Sequence, residues 1–288
     1  MTPIAVTIAG SDPSGGAGIQ ADLKTFSALN VYGASVITSL TAQNTRGVFG
    51  VHTVPADFVE AQLDAVFSDL IVDAVKIGMV SEPEIVEVIA DCLDRYEMQR
   101  VVVDPVMVAT SGDRLISEEA IEAVRDILLP RAAIITPNLA EAAELLGTAM
   151  AQSEQEMADQ AQRLFDYGPG AVLIKGGHGE GDESADILFD GSEALLVSAP
   201  RIETYNTHGT GCTLSSAIAA ALAQEFTLPR AVAYAKNYIT EAIRHADELT
   251  IGAGAGPVHH FHAVWDYLPV FGQPPRKKLK ADTGETDE

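Results

Sequence analysis

Short apolar runs bounded by turn residues alternate with longer stretches of helical periodicity, and this alternation restricts the fold more than any other feature of the chain. The runs at 4–9, 35–42, 74–77, 101–104, 133–136 and 171–175 read as buried strands. Helical spacing predicts helices over about 18–29, 55–68, 82–96, 118–128, 139–146, 154–167, 210–224 and 229–249. Strand followed by helix, repeated, specifies an α/β fold whose mainly parallel sheet carries helices on both faces. With 288 residues, 47% of them apolar, the chain has material for an ample core, and one domain over residues 1–271 is expected. Residues 272–288 join a proline-rich opening to the basic stretch 276–280 and an acidic end. They lack apolar periodicity, so a mobile, solvated tail is expected there.

In a sheet of this kind ligands bind beyond the carboxyl ends of the strands, so the residues that follow each strand carry the functional information. Those positions hold Gly10-Ser11-Asp12, Gln43-Asn44, Gly78-Met79, Asp104-Pro105, Pro137-Asn138 and Lys175-Gly176-Gly177. Charge narrows the ligand class. The 41 acidic against 18 basic residues give a net charge of -23, which repels phosphodiester backbones, so nucleic acid is not an expected partner. Such an acid excess also suits solubility in high salt, where screening shortens self-repulsion; a melting temperature that falls between low and molar salt would overturn that reading. The start has no basic segment ahead of its short apolar run, and no stretch approaches the roughly 18 apolar residues that cross a bilayer. A cytoplasmic protein without a membrane partner is expected. Two cysteines, Cys92 and Cys212, are too few for a disulfide framework.

The segment NTHGTGCTLSSAIAAAL places Gly209-Thr210-Gly211 at the opening of an alanine-rich helix. Glycines there let backbone approach an anion, and the first free N–H groups of the helix supply donors and partial positive charge. Cys212 falls in the first turn, where the same dipole favours a thiolate and hence a base or nucleophile. The alternative is a small buried apolar residue, the usual role of a free cysteine. Residues Gly16-Ala17-Gly18-Ile19-Gln20-Ala21 fit the dinucleotide fingerprint formally, but the next strand closes on Thr41-Ala42-Gln43 instead of an acidic residue. A Walker A pattern is absent, which leaves a glycine loop over a small substrate. Asp104, directly after Val101-Val102-Val103, suits a hydrated magnesium ion or a strand-end cap. Asn138 and Glu141, three apart at a helix start, read first as a capping box and second as metal ligands. Lys175 can meet phosphate oxygens or simply end its strand exposed. The tract His259-His260-Phe261-His262 lacks partners at metal-ligand spacing and reads as structural.

Taken in order, AGSDPSGGAGIQADLKT, TAQNT, VKIGM, VVVDPVMVATSG, TPNLAEA, IKGGH, HGTGCTLSSAIAA and GAGAGPVHHF resemble the hydroxymethylpyrimidine and phosphomethylpyrimidine kinases of thiamine biosynthesis, members of the ribokinase-like superfamily. The resemblance covers nearly the whole chain except the last seventeen residues. It implies a ribokinase-like three-layer sandwich, usually a homodimer, that uses ATP and magnesium to phosphorylate a hydroxymethylpyrimidine and then its monophosphate. It implies that Gln43 hydrogen-bonds the pyrimidine while Gly10, Asp22, Met79 and Val106 line its pocket. Gly209 and Gly211 would bracket the anion hole, with Thr210 on the nucleotide, Cys212 activating the hydroxymethyl group and Lys175 steadying the transferred phosphate. Asp104, Asn138 and Glu141 would organise magnesium directly or through water, and the metal reading of the last two then outweighs the cap. Most ribokinase-like enzymes have aspartate where this chain has Cys212, and cysteine points to the pyrimidine-kinase branch. Pyridoxal or pyridoxine kinase is the neighbouring alternative, and a pyrimidine sensor without catalysis is a third. The alternation Gly252-Ala253-Gly254-Ala255-Gly256 departs from the family's usual pattern and leaves the nucleotide-side contacts open.

Overall fold

A computed structural model describes residues 1–107, 116–177 and 181–265. The expected tail, the basic stretch 276–280 and His178 lie outside the described residues. In chain order the elements are β1 (Ile4–Ala9), α1 (Gly18–Ala28), β2 (Tyr32–Ile37), β3 (Ser39–Asn44), β4 (Gly47–Thr53), α2 (Ala56–Phe67), β5 (Ala74–Ile77), α3 (Pro83–Arg95) and β6 (Val101–Val103). There follow α4 (Glu118–Ala123), β7 (Ile134–Ile135), α5 (Leu139–Leu146), α6 (Glu154–Phe165), β8 (Val172–Lys175), β9 (Glu183–Phe189), β10 (Ala194–Pro200), α7 (Thr210–Ala223) and α8 (Leu228–Arg244).

Eight strands form one sheet in the order β10-β9-β8-β7-β6-β5-β1-β2. The pairs from β2 to β8 are parallel, while β9 runs antiparallel to both β8 and β10. Strand side chains alternate between the two faces, and the two cores divide accordingly. Val6, Ile8, Val75, Ile77, Val101, Val103, Ile135, Val172 and Ile174 pack against α2, α3, α4, α5 and α6. Ala5, Ala74, Val102, Ile134 and Leu173 pack against α1, α7 and α8. The expected three-layer α/β sandwich with a mainly parallel sheet is therefore what forms. By the same alternation Thr7 and Lys76 face the second layer, where they are fully buried.

The single strand expected over 35–42 is two strands. Thr38 separates them: its N–H bonds Ala9 O, its carbonyl accepts Val54 N–H, and its hydroxyl donates to Met79 O at 2.8 Å. From that anchor β3 leaves the main sheet and pairs antiparallel with β4, with a register shift between Ala42 and Gln43. The helix expected over 118–128 is α-helical only to Ala123 and continues as a wider π turn, Val124–Leu128. The last helix stops at Arg244, ahead of the short 3-10 turn Ala246–Glu248.

Candidate active site

The carboxyl ends of β1, β5, β6 and β8 and the start of α7 meet on one side of the sheet. Gly209 caps α7 in the left-handed region, φ 80°, where glycine escapes the clash that a Cβ brings. A side chain here would also collide with the carbonyl oxygen of Gly16. One residue into the helix, the place a Gly211 Cβ would take lies 3.2 Å from Lys175 Nζ and 3.8 Å from Asp104 Oδ2. Glycine at 211 thus leaves free the space in which an ammonium, a carboxylate and the helix donors converge. Thr210 begins the helix and turns its hydroxyl to Thr207 O at 2.7 Å.

Lys175 and Asp104 form a buried pair at 2.8 Å, with side chains 14% and 1% exposed. Glu141 Oε2 stands 3.8 Å from the same ammonium. Asp104 also accepts bonds from Thr136 Oγ1 and Ser215 Oγ, both at 3.1 Å. Burial alone would raise its pKa, but Lys175 and then Lys76 hold the carboxyl below its usual range. Burial depresses the Lys175 ammonium, yet Asp104 and Glu141 together raise it, so it stays charged. Glu141 goes the other way: burial pushes it up to about 7, with Lys175 opposing and Asp104 reinforcing. Asn138 caps α5, and its Oδ1 accepts Glu141 N–H at 2.9 Å while Glu141 Oε2 accepts Asn138 N–H at 2.7 Å. The capping box predicted from spacing is present.

This donor set bears on magnesium. Among the described residues no three His, Cys, Asp or Glu side chains stand close enough to hold a metal by themselves. Magnesium at kinase sites usually keeps water and takes one or two carboxylates together with substrate phosphates. Asp104 and Glu141, adjacent and beside the anion hole, fit that requirement. Asn138 has its oxygen engaged in the cap.

Cys212 is partly exposed and lies close to Gly18 at the start of α1. The helix dipole favours a lowered thiol, but burial pushes Cys212 up to about 11, with Asp22 and Asp104 adding to the shift and Lys76 opposing it. Burial and the neighbouring carboxylates work against the thiolate that the α7 dipole favours.

The residues expected on the pyrimidine side are drawn together in part. Gly10 is buried where a Cβ would fall 2.5 Å from Met79 Cε, so its missing side chain is what admits Met79. Val106 borders a small apolar cavity with Ile77, Gly78, Val80, Val103 and Pro105. Gln43 projects from β3 and accepts Thr41 Oγ1 at 3.2 Å; the same hydroxyl bonds Ser11 O at 2.8 Å. Asp22 differs from expectation. It has no exposed surface, and its oxygens are engaged by Thr7 Oγ1 at 2.6 Å, Ser216 Oγ at 2.6 Å and Lys76 Nζ at 3.0 Å. It supports the floor of the site instead of lining it.

Sequence reasoning missed Lys76, whose ammonium is fully buried against Asp22 and close enough to bias Cys212 and Asp104. A signal existed, because a lysine inside the apolar strand run AVKI is out of place unless it is paired. It also missed Ser215 and Thr136, which orient Asp104 and have no distinctive local pattern. Within the histidine tract, His260 Nε2 lies 3.0 Å from Thr213 Oγ1 beneath the α7 start.

Residues 12–259 match the family model for phosphomethylpyrimidine kinase. A hydroxymethylpyrimidine/phosphomethylpyrimidine kinase of Rhizobium meliloti is 61% identical over 265 residues, 92% of this chain and 99% of that one. Among solved structures, the phosphomethylpyrimidine kinase of Clostridium difficile is 46% identical with a TM-score of 0.74, covering 83% of this chain and 99% of that one. An ADP complex of Bacillus subtilis pyridoxal kinase superposes with a TM-score of 0.85 at 36% identity, over 91% of this chain and 99% of that one. With the family model spanning most of the sequence and glycines, lysine and carboxylate gathered at the start of α7, the chain belongs to the phosphomethylpyrimidine kinase family.

Proposed function

We propose that this protein transfers the γ-phosphoryl group of ATP to 4-amino-5-hydroxymethyl-2-methylpyrimidine and then to its monophosphate, supplying the pyrophosphate for thiamine biosynthesis. The observation that carries the reading is the Lys175–Asp104 pair at 2.8 Å beside Gly211, a fixed cation and a fixed carboxylate at a helix start. The pyrimidine lies against Gln43, whose amide offers a donor and an acceptor to an aminopyrimidine, with Met79 and Val106 as apolar walls. Its hydroxymethyl group points to Cys212. The γ-phosphoryl group faces Gly209, Thr210 and Gly211, and Lys175 neutralises it. Asp104 and Glu141 would hold magnesium there, and the ion would supply further charge neutralisation to the transferred phosphoryl group.

Transfer is in line: the hydroxymethyl oxygen bonds to phosphorus as the bond to ADP breaks. A loose transition state asks for position and neutralised charge more than for a fully formed alkoxide. That suits a thiol that keeps its proton. Cys212 sulfur accepts a hydrogen bond from the hydroxyl and aims its oxygen, and the hydroxyl proton passes late in the transfer to an oxygen of the phosphoryl group being transferred.

The pyridoxal kinase alternative is not favoured, because a relative 61% identical to this chain carries the pyrimidine-kinase name while the Bacillus subtilis pyridoxal kinase stands at 36%. A sensor has no need of Lys175, Asp104 and Cys212 at an anion hole. A homodimer belongs to the same proposal: the β3–β4 hairpin exposes Leu40, Phe49 and Val51, an apolar surface of the kind that a second copy covers, and sedimentation as a monomer would overturn it. So does a cytoplasmic location, supported by the two free cysteines; among the described residues no helix is long and apolar enough to cross a membrane.

Mass spectrometry of products from hydroxymethylpyrimidine plus magnesium-ATP, beside ADP release with pyridoxal, tests the function. Mono- and diphosphorylated pyrimidine are expected. Tight pyrimidine binding without product, or faster turnover of pyridoxal, would overturn the reading.

A further inference from the structure

Three segments that the reaction needs in register meet at one histidine. His208, just before the anion hole, places Nε2 2.8 Å from Asp12 Oδ2, and the two side chains are only 8% and 2% exposed. Asp12 is otherwise devoted to its own glycine loop. Its Oδ1 accepts Ser14 N–H at 2.8 Å and Ser14 Oγ at 2.7 Å, and its Oδ2 accepts Gly16 N–H at 3.1 Å and Ala17 N–H at 2.8 Å. Burial pushes this carboxyl up, but His208, Ser14 and Ala17 together hold it far below the carboxylate range. Asp12 is therefore an acceptor only, and the imidazole Nε2 is the donor.

The packing around the pair leaves no slack. A Cβ on Gly16 would collide with the His208 ring, and one on Gly209 with Gly16 O. The glycine loop ends at Gly18, which opens α1 close to Cys212. On its other side His208 donates its backbone N–H to Gly256 O at 3.0 Å and accepts Val258 N–H at 3.3 Å. The glycine-alanine stretch to which Gly256 belongs wraps the tip of the hairpin that carries Gln43: Thr45 Oγ1 accepts Ala253 N–H at 3.2 Å and Gly254 N–H at 3.1 Å. A chain of direct contacts thus runs from the Gln43 hairpin through Gly252–Gly256 to His208, and from there to the anion hole and to the loop before α1.

We propose that Asp12 and His208 are a positioning pair that sets the glycine loop and the anion hole as one unit, so that nucleotide and pyrimidine each strengthen the other's binding. The proposal rests on the kinase reading above. A loop with glycines at 15, 16 and 18 has many conformations to lose on ordering. Whichever ligand binds first orders both halves through the clasp, and the second then meets a site already set.

Calorimetric titration of hydroxymethylpyrimidine, with and without the non-hydrolysable ATP analogue AMP-PCP, measures the coupling. In the unaltered protein the analogue should tighten pyrimidine binding about fivefold or more. In His208→Ala that ratio should fall to within about twofold of unity, and His208→Gln, whose amide can donate to Asp12, should recover part of it. A general folding defect would lower the melting temperature and weaken both affinities but leave their ratio alone. If His208→Ala does not fold, Asp12→Asn carries the same expectation. Full coupling in the alanine variant, or none in the unaltered protein, overturns the clasp; an unaltered protein that phosphorylates no pyrimidine overturns the kinase reading instead.

Discussion

Lys175→Met removes one charge at nearly constant volume, and its consequences separate into stability and catalysis. The ammonium is 14% exposed and serves Asp104 at 2.8 Å and Glu141 at 3.8 Å. Without it two buried carboxyls face each other, and breaking a buried pair by deleting one partner costs about 3–5 kcal/mol. At roughly 2–4 °C per kcal/mol for a domain of this class, the melting temperature should fall by about 6–20 °C. The deficit should itself depend on pH. Burial already raises Glu141 to about 7, above its unfolded value, so the fold retains a proton that the unfolded chain gives up, and stability is lost as pH rises between the two values. Removing Lys175 moves the upper limit of that window higher, so the variant should trail further at pH 8 than at pH 6. Turnover at a temperature where the variant is folded should drop about 100- to 1,000-fold, the scale for losing one charge on a transition state. Melting curves at the two pH values, with steady-state rates on the folded variant, test all three. A folded variant within a few-fold of the normal rate would refute the placement of phosphate beside Lys175.

Cys212→Ala should lower turnover by about 100-fold, the scale for a misaimed reacting oxygen, while leaving ATP affinity within a few-fold, read by rates beside nucleotide titration. Because the thiol is raised to about 11, the pH–rate profile between 6 and 9 should show no limb that disappears in this variant, and finding one would contradict the protonated thiol. His260 is held down to about 3, by burial first and then by Lys24, so below its ordinary value the unfolded chain takes up a proton that the fold refuses. Between pH 7.5 and 5 the unaltered protein should therefore lose about 2 kcal/mol more stability than His260→Gln, by chemical denaturation; a difference that does not change with pH would refute it.

The layers of the fold were legible because the strands declare themselves locally. Val101-Val102-Val103 and Val172-Leu173-Ile174 are buried on both faces, and each leads to a polar site residue at its end, Asp104 and Lys175. The strand-end rule located both. β4, β9 and β10 were not foreseen, because a hairpin strand such as GVFGVHT is mostly exposed, ESADILF opens on polar residues, and an edge strand such as ALLVSAP alternates without a continuous apolar run. The break at Thr38 depends on Met79 O and Ala9 O, neither of which is a neighbour in sequence. Asp12 and His208 are 196 positions apart, and a lone aspartate in a glycine loop signals a turn before it signals a distant histidine.

The thiol marks the limit of local reading. A cysteine in the first turn of a helix feels the helix dipole wherever the helix is placed, so that part of the inference needs only the sequence. Desolvation does not travel with the helix; it is set by what packs over the first turn, here the Gly18 end of α1 and a floor of Asp22, Lys76 and Asp104. The two fully buried charges of that floor, Asp22 and Lys76, neutralise each other at 3.0 Å, which leaves little net field to release the proton. A protonated thiol in a site with a fixed ammonium at Lys175 is matched to phosphoryl transfer, where the charge to be stabilised sits on phosphate oxygens and not on the attacking alcohol. The family pattern located the cysteine, and the burial around it decides what form the sulfur takes.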